Sequence, residues 1–232
     1  MRHLYNTLIH TVKINDYSAQ KTSHLTNIPI ALLSLALGHL SVMPGVDWHS
    51  TIHTSTIQET MATQAGKTSG QQSIAYKYQG RTIDVMQVRL IGKKLYVINT
   101  NATVIHNLLN IKLNIANTLR NRWVLLPTSF SQYANIDTGL TVPSVMNELQ
   151  MNGKVTELRD TVFNHQKAIP LKGLVPGSKI TEIIYLSAIK SPLPIGIVAK
   201  QGSDSSTTYF GPWKAPKVFT PTHFVTYSAH MK

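Results

Sequence analysis

Hydrophobic residues alternate with polar ones through residues 81–91, and the phase of that alternation changes once. Ile83 and Val85 share one face; Met86, Val88 and Leu90 then take up the repeat out of step. One slip of phase inside a strand is what a bulge produces, and bulges bend and twist sheets. Gly92-Lys93 separates this strand from Leu95-Tyr96-Val97-Ile98, a run apolar on both faces, which predicts cover on each side of the sheet. Residues 101–119 carry Ile105, Leu108, Leu109 and Leu113 at helical spacings and predict one or two helices. Residues 123–126 follow as a strand, 128–142 as a loop and 143–151 as a short helix.

The most apolar run, residues 28–43, admits three readings. A membrane-spanning helix needs roughly 18–20 apolar residues, and this run is shorter and contains Ser34, Gly38, His39 and Ser41. A signal-peptide core fits the length, with Ala36-Leu37-Gly38 as a small-x-small cleavage site. A packed helix fits the punctuation: Asn27 as N-cap, Pro29 in the first turn and Pro44-Gly45 as the stop. The punctuation favours the packed helix. Residues 1–26 lack periodicity and read as an N-terminal arm, which leaves 27–232 as one domain.

Further strands are predicted at 46–58, 71–79, 155–166, 168–174, 179–189, 194–200, 207–213 and 217–219, with 62–70 as a loop. Regular spacing with turn residues between segments points to antiparallel pairing. The fold class is α+β: a curved antiparallel sheet with an apolar inner surface.

Charge narrows the functional classes. The chain has 22 basic and 10 acidic residues, a net charge of +12 at pH 7, yet its basic residues come in pairs at most, such as Lys93-Lys94. That field attracts anions, including an anionic membrane surface. No basic cluster interleaved with aromatics is visible, so no nucleic-acid partner is expected. The absence of cysteine excludes disulfides, thiol catalysis and a lipobox cysteine.

Catalytic and metal motifs are missing. Gly66-Lys67-Thr68 resembles the end of a phosphate-binding loop, but Met61 stands where that motif needs glycine. His49 and His53 lie about 13 Å apart if the segment is a strand, too far for one ion. No nucleophile elbow occurs, and Glu157 and Asp160 point to opposite faces of a strand. Trp48, Trp123 and Trp213 read as anchors in strand-like segments, one of them a candidate for a cavity mouth. No enzyme activity, cofactor or metal is expected.

Several motifs in order carry a family resemblance: VDWHSTIHTS at 46–55, then GRTIDVMQVRLIGKKLYV at 80–97 and RWVLLP at 122–127. SQYANIDTGLTVPSVMNEL, DTVFNHQKAIPLKG at 160–173, IYLSA at 184–188, LPI at 193–195 and FGPWKAP at 210–216 complete the set. Across about residues 28–220 the chain resembles the LppX/LprG-type lipoproteins of actinobacterial envelopes and, more distantly, the LolA/LolB lipoprotein carriers. The resemblance implies a half-barrel whose concave face is covered by helices around a cavity for acyl chains. It implies a non-catalytic, extracytoplasmic protein of the cell envelope that binds a lipid or glycolipid; separately, the chain is expected to be a monomer. The sequence departs from the family in having no lipobox cysteine.

The cavity lining expected on this basis is Leu32, Leu33, Ala36, Leu40, Ile83, Val85, Val97, Ile105, Leu109, Val145, Leu149, Ile184 and Leu186. Aromatic residues make up only 7% of the chain, so a large concavity has few bulky side chains to fill it. An apolar cavity of this kind binds an apolar chain because each buried methylene is worth about 0.8 kcal/mol. The same residues also make a normally close-packed core. A structural or protein-interaction domain of the envelope with a filled core is thus the alternative, and a polyanion-binding module the third reading.

Overall fold

The computed structural model describes residues 28–175, 178 and 180–228. It opens with helix α1 (Ile28–Ser41) and strands β1 (Gly45–His53), β2 (Ile57–Gly66), β3 (Ser69–Tyr78), β4 (Arg81–Ile91) and β5 (Lys94–Asn99). Helices α2 (Ala102–Leu109) and α3 (Leu113–Thr118), strand β6 (Trp123–Leu126), and helices α4 (Tyr133–Ile136) and α5 (Val142–Glu148) follow. The remainder is β7 (Asn152–Glu157), β8 (Thr161–Phe163), β9 (Gln166–Leu174), β10 (Thr181–Ser187), β11 (Pro194–Gln201), β12 (Asp204–Phe210) and β13 (Phe224–Thr226).

The strands form one large, open, curved sheet in the order β13-β6-β5-β4-β3-β2-β1-β12-β11-β10-β9-β7, with β8 paired to β9. Neighbours run antiparallel except β13, which lies parallel to β6. The sheet is not a simple meander: the final hairpin returns so that β12 pairs with β1. Local chemistry sets the turns. Gln79-Gly80 and Asn164-His165 all have positive φ and make the tight loops between β3 and β4 and between β8 and β9. That geometry matches the right-handed twist of a hairpin, and Asn and Gly tolerate it best.

The strand β4 bulges at Ile83, which is left between the pairs Tyr76–Asp84 and Lys77–Thr82. The phase slip read from the sequence lay two residues further on. Asp84, Met86, Val88 and Leu90 therefore share the buried face, and Ile83 and Val85 face the other way. Asp84 holds its inward position through a hydrogen bond from Asn99 Nδ2 to Oδ2, 2.9 Å.

Four further expectations need correction. Residues 62–70 are not a loop: β2 runs to Gly66, with Thr63 and Ala65 buried. Residues 155–166 are two strands, β7 and β8, rather than one. Residues 217–219 form no strand; the last one is Phe224–Thr226. Within 128–142 the short helix α4 interrupts the loop.

Two apolar cores occupy one face of the sheet. In one, α2 and α3 place Ile105, Leu109 and Ala116 over Ile74, Val88, Val97 and Val124. In the other, α1 and α5 place Leu33, Leu40, Val145 and Leu149 over Val46, Trp48, Leu171, Ile184 and Phe210. The helices are held at their ends: Asn101 accepts from Thr103 N at 2.9 Å and caps α2, and Thr141 accepts from Ser144 N at 3.2 Å and caps α5. The run read as a packed helix is α1; its expected cap, Asn27, lies outside the described residues. No helix among the described residues is long and apolar enough to cross a membrane.

Candidate ligand-binding face

Strand register defines the concave face residue by residue, because side chains directly opposite one another share a face. One row across the sheet reads Leu171, Ile184, Ile197, Thr208, Ser50, Met61, Ile74, Met86 and Asn99. The next reads Gly173, Glu182, Ala199, Ser206, Ile52, Glu59, Tyr76 and Asp84. On the opposite face the row His49, Ala62, Ser73 and Gln87 is exposed and has no large apolar side chain. His53 shares that outer face with His49 by strand alternation.

Helices cover the inner rows unevenly. Where α1, α5, α2 and α3 pack, the sheet positions are buried. Between the two cores, Ile52, Ile57, Glu59, Met61, Tyr76, Ile197, Ser206 and Thr208 are only partly buried. Met61 packs against both cores and so marks the seam between them. These residues make a half-buried strip along the concave face, a half-open trough in the sense of partial burial, apolar with scattered hydroxyls.

The trough and its end contain carboxyls whose surroundings disfavour charge. Burial pushes the Glu59 carboxyl up to about 7. Glu182 is 4% exposed and its Oε1 has no hydrogen-bond partner among the described residues. Burial first, then the Glu148 carboxylate on α5, pushes Glu182 up to about 8. Around neutral pH these two groups carry less negative charge than surface carboxyls.

Of the residues expected to line a cavity, Leu33, Ala36, Leu40, Val145, Leu149, Ile184 and Leu186 lie in the α1–α5 core, with Leu32 packed against it. Val97, Ile105 and Leu109 lie in the α2–α3 core. The structure does not bring Ile83 and Val85 to either: Ile83 is 54% exposed on the outer face, because the unbroken alternation of Leu90, Val88 and Met86 gives the next inner position to Asp84. A cavity of about 290 Å³ opens beside α2 between Leu108, Leu109, Pro127, Phe130 and Tyr227, and Leu109 alone of the expected residues lines it. Sequence reasoning missed the trough residues Ile52, Met61 and Ile197. Their signal was the even-residue alternation of β1 and the odd-residue alternation of β2 and β11, diluted by threonine and glutamine.

The comparisons with known proteins turn on this sheet. Crystal structures of LprF from Mycobacterium bovis and of the lipoprotein LppX from Mycobacterium tuberculosis superpose on it with TM-scores of 0.53 and 0.51. The fold is that of LprF and LppX. Each match covers 84% of this chain, and 97% of LprF and 99% of LppX. Identity is only 10% and 11%, so the likeness is one of fold. No protein-family model matches the chain, and no curated protein matches its sequence. The α+β half-barrel implied by the sequence resemblance is the architecture found.

Proposed function

We propose that this chain is a non-catalytic binding protein that holds a lipid or another long apolar ligand on the concave face of its half-barrel, in an extracytoplasmic setting. The observation that carries the reading is the half-open trough: an inner surface of Ile52, Ile57, Met61, Tyr76 and Ile197 left only partly buried between two helix-packed cores. The sequence resemblance to envelope lipid carriers and the fold shared with LprF and LppX support it. In this reading an acyl chain lies along the trough, with its ends against the two cores, and the eleven core residues expected as lining contact it as the helices part. The raised carboxyls of Glu59 and Glu182 suit such a surface, since a neutral carboxyl costs less to cover with hydrocarbon than a charged one.

A filled-core interaction domain is the second reading. It is favoured by the complete burial of Leu40, Leu149, Leu171, Ile184 and Leu186, all at 0% exposure. Titration with a fluorescent fatty acid separates the two. The carrier reading expects saturable uptake that Met61→Glu or Ile197→Glu weakens by an order of magnitude, while Ser73→Glu on the outer face leaves it unchanged. Absence of uptake by the unaltered protein overturns the carrier reading in favour of the interaction domain.

A further inference from the structure

The outer face of the sheet carries a second feature. After β12 the chain crosses the convex side, where Pro216 lies against Gly45 and Gly66 and Phe219 O accepts from Arg89, before β13 pairs with β6. Phe224 meets Tyr96 edge-on, with ring centroids 5.2 Å apart, which buries the outward side of β5. Between this strap and strands β4–β6 lies a cleft of about 770 Å³. Arg89, Arg122, Trp123, Thr220, Thr222 and His223 are among its walls.

Its chemistry is one-sided. None of the acidic residues among the described residues lines it. The Arg89 guanidinium is fixed from two directions: it lies 4.6 Å from the Trp123 ring centre and donates through one NH group to Phe219 O at 3.1 Å. A guanidinium has five N–H donors, so Arg89 keeps others for a ligand. The backbone of Arg122 is fixed by its N–H bond to Leu119 O and by Asn121, in the left-handed region at φ 58°, whose N–H donates to Asn99 O. Its side chain is exposed, and neither arginine makes an ion pair among the described residues. Two guanidinium forks without a counter-charge, beside two threonine hydroxyls and the exposed edge of Phe224, suit a compact multivalent anion attached to a small apolar body.

We propose that this cleft binds a phosphate-bearing ligand, with Arg89 and Arg122 on the phosphate oxygens. A phospholipid headgroup and a free phosphate ester present the same chemistry. The cleft lies on the face opposite the trough, so a ligand there does not occupy the acyl-chain surface.

Calorimetric titration of the full chain with glycerol phosphate, and co-sedimentation with phosphatidylcholine vesicles with and without phosphatidylglycerol, test this. The expected result is saturable binding that Arg122→Gln weakens about tenfold or more, with the circular dichroism spectrum and unfolding midpoint unchanged. Arg89→Lys, which keeps the charge but loses the fork, weakens it too. Binding of glycerol phosphate alone assigns the site to free esters; Arg122-dependent sedimentation with phosphatidylglycerol vesicles assigns it to headgroups. Failure of the unaltered protein to bind either probe, or binding that both variants leave unchanged, overturns the proposal.

Discussion

Replacing Glu182 with glutamine gives stability a pH dependence that the structure specifies in sign and size. The carboxyl is 4% exposed, lies in the inner row between Gly173 and Ala199, and faces Glu148 from α5. Its ordinary value of 4.5 is raised to about 8 in the folded chain, mainly by burial. Between those values the unfolded chain has the group ionised while the folded chain keeps it protonated. Folding then takes up a proton, so the stability this group permits is fully present below pH 4.5 and is lost as pH rises toward 8. The slope is about 1.4 kcal/mol per pH unit, so the group costs the wild type roughly 2–3 kcal/mol between about pH 5.5 and 7.5. Glutamine cannot ionise and has nearly the same shape. The stability difference, Glu182→Gln minus wild type, should therefore grow by that amount across the window. Urea unfolding followed by circular dichroism at three pH values measures it, and taking the difference cancels the titration of the histidines. A difference flat to within a few tenths of a kcal/mol would mean that Glu182 is ionised in the folded chain and that its burial argument is wrong.

Three further outcomes follow from packing and capping. Leu186→Ala empties a fully buried site in the α1–α5 core and should cost about 2–5 kcal/mol in urea unfolding. A Cβ at Gly196 would fall on the Phe163 ring, which stacks on Tyr185 at 4.1 Å, so Gly196→Ala should cost about 1–3 kcal/mol and alter the near-ultraviolet spectrum of those rings. Asn101→Ala removes the α2 cap and should cost about 1 kcal/mol, with faster amide exchange at Thr103.

Much of this was legible where local chemistry and burial agree. The apolar run of α1, the alternation of Met86, Val88 and Leu90, and the Gly92-Lys93 turn each carry their own signal. The far half of β2 did not, because its inner positions include Thr63 and Ala65. Thr63 is satisfied there by Gln72 Nε2 at 3.0 Å, a cross-strand partner that a single-strand pattern cannot reveal. The strand β13 is three residues long and depends on β6, some hundred residues earlier. Ile83 and Val85 misled because both are apolar, yet the strand keeps the phase of Leu90, Val88 and Met86 back to Asp84 and leaves them on the outer face. The basic cleft was hidden for a similar reason: Arg89 and Phe219 are 130 residues apart, and no local run of charge marks their meeting. The expected lining residues came from apolar segments as such, which selects the packed cores rather than the half-exposed trough between them.

In the proposed binding mode an apolar chain lies on the concave face. Photo-crosslinking with a diazirine-bearing fatty acid, followed by peptide mapping, tests it most directly. Label is expected on β1, β2, β3 and β11, at peptides containing Ile52, Met61, Tyr76 and Ile197, suppressed by excess unlabelled fatty acid. Label confined to the outer face around His49, Ser73 and Gln87, or label that excess fatty acid does not displace, would contradict it.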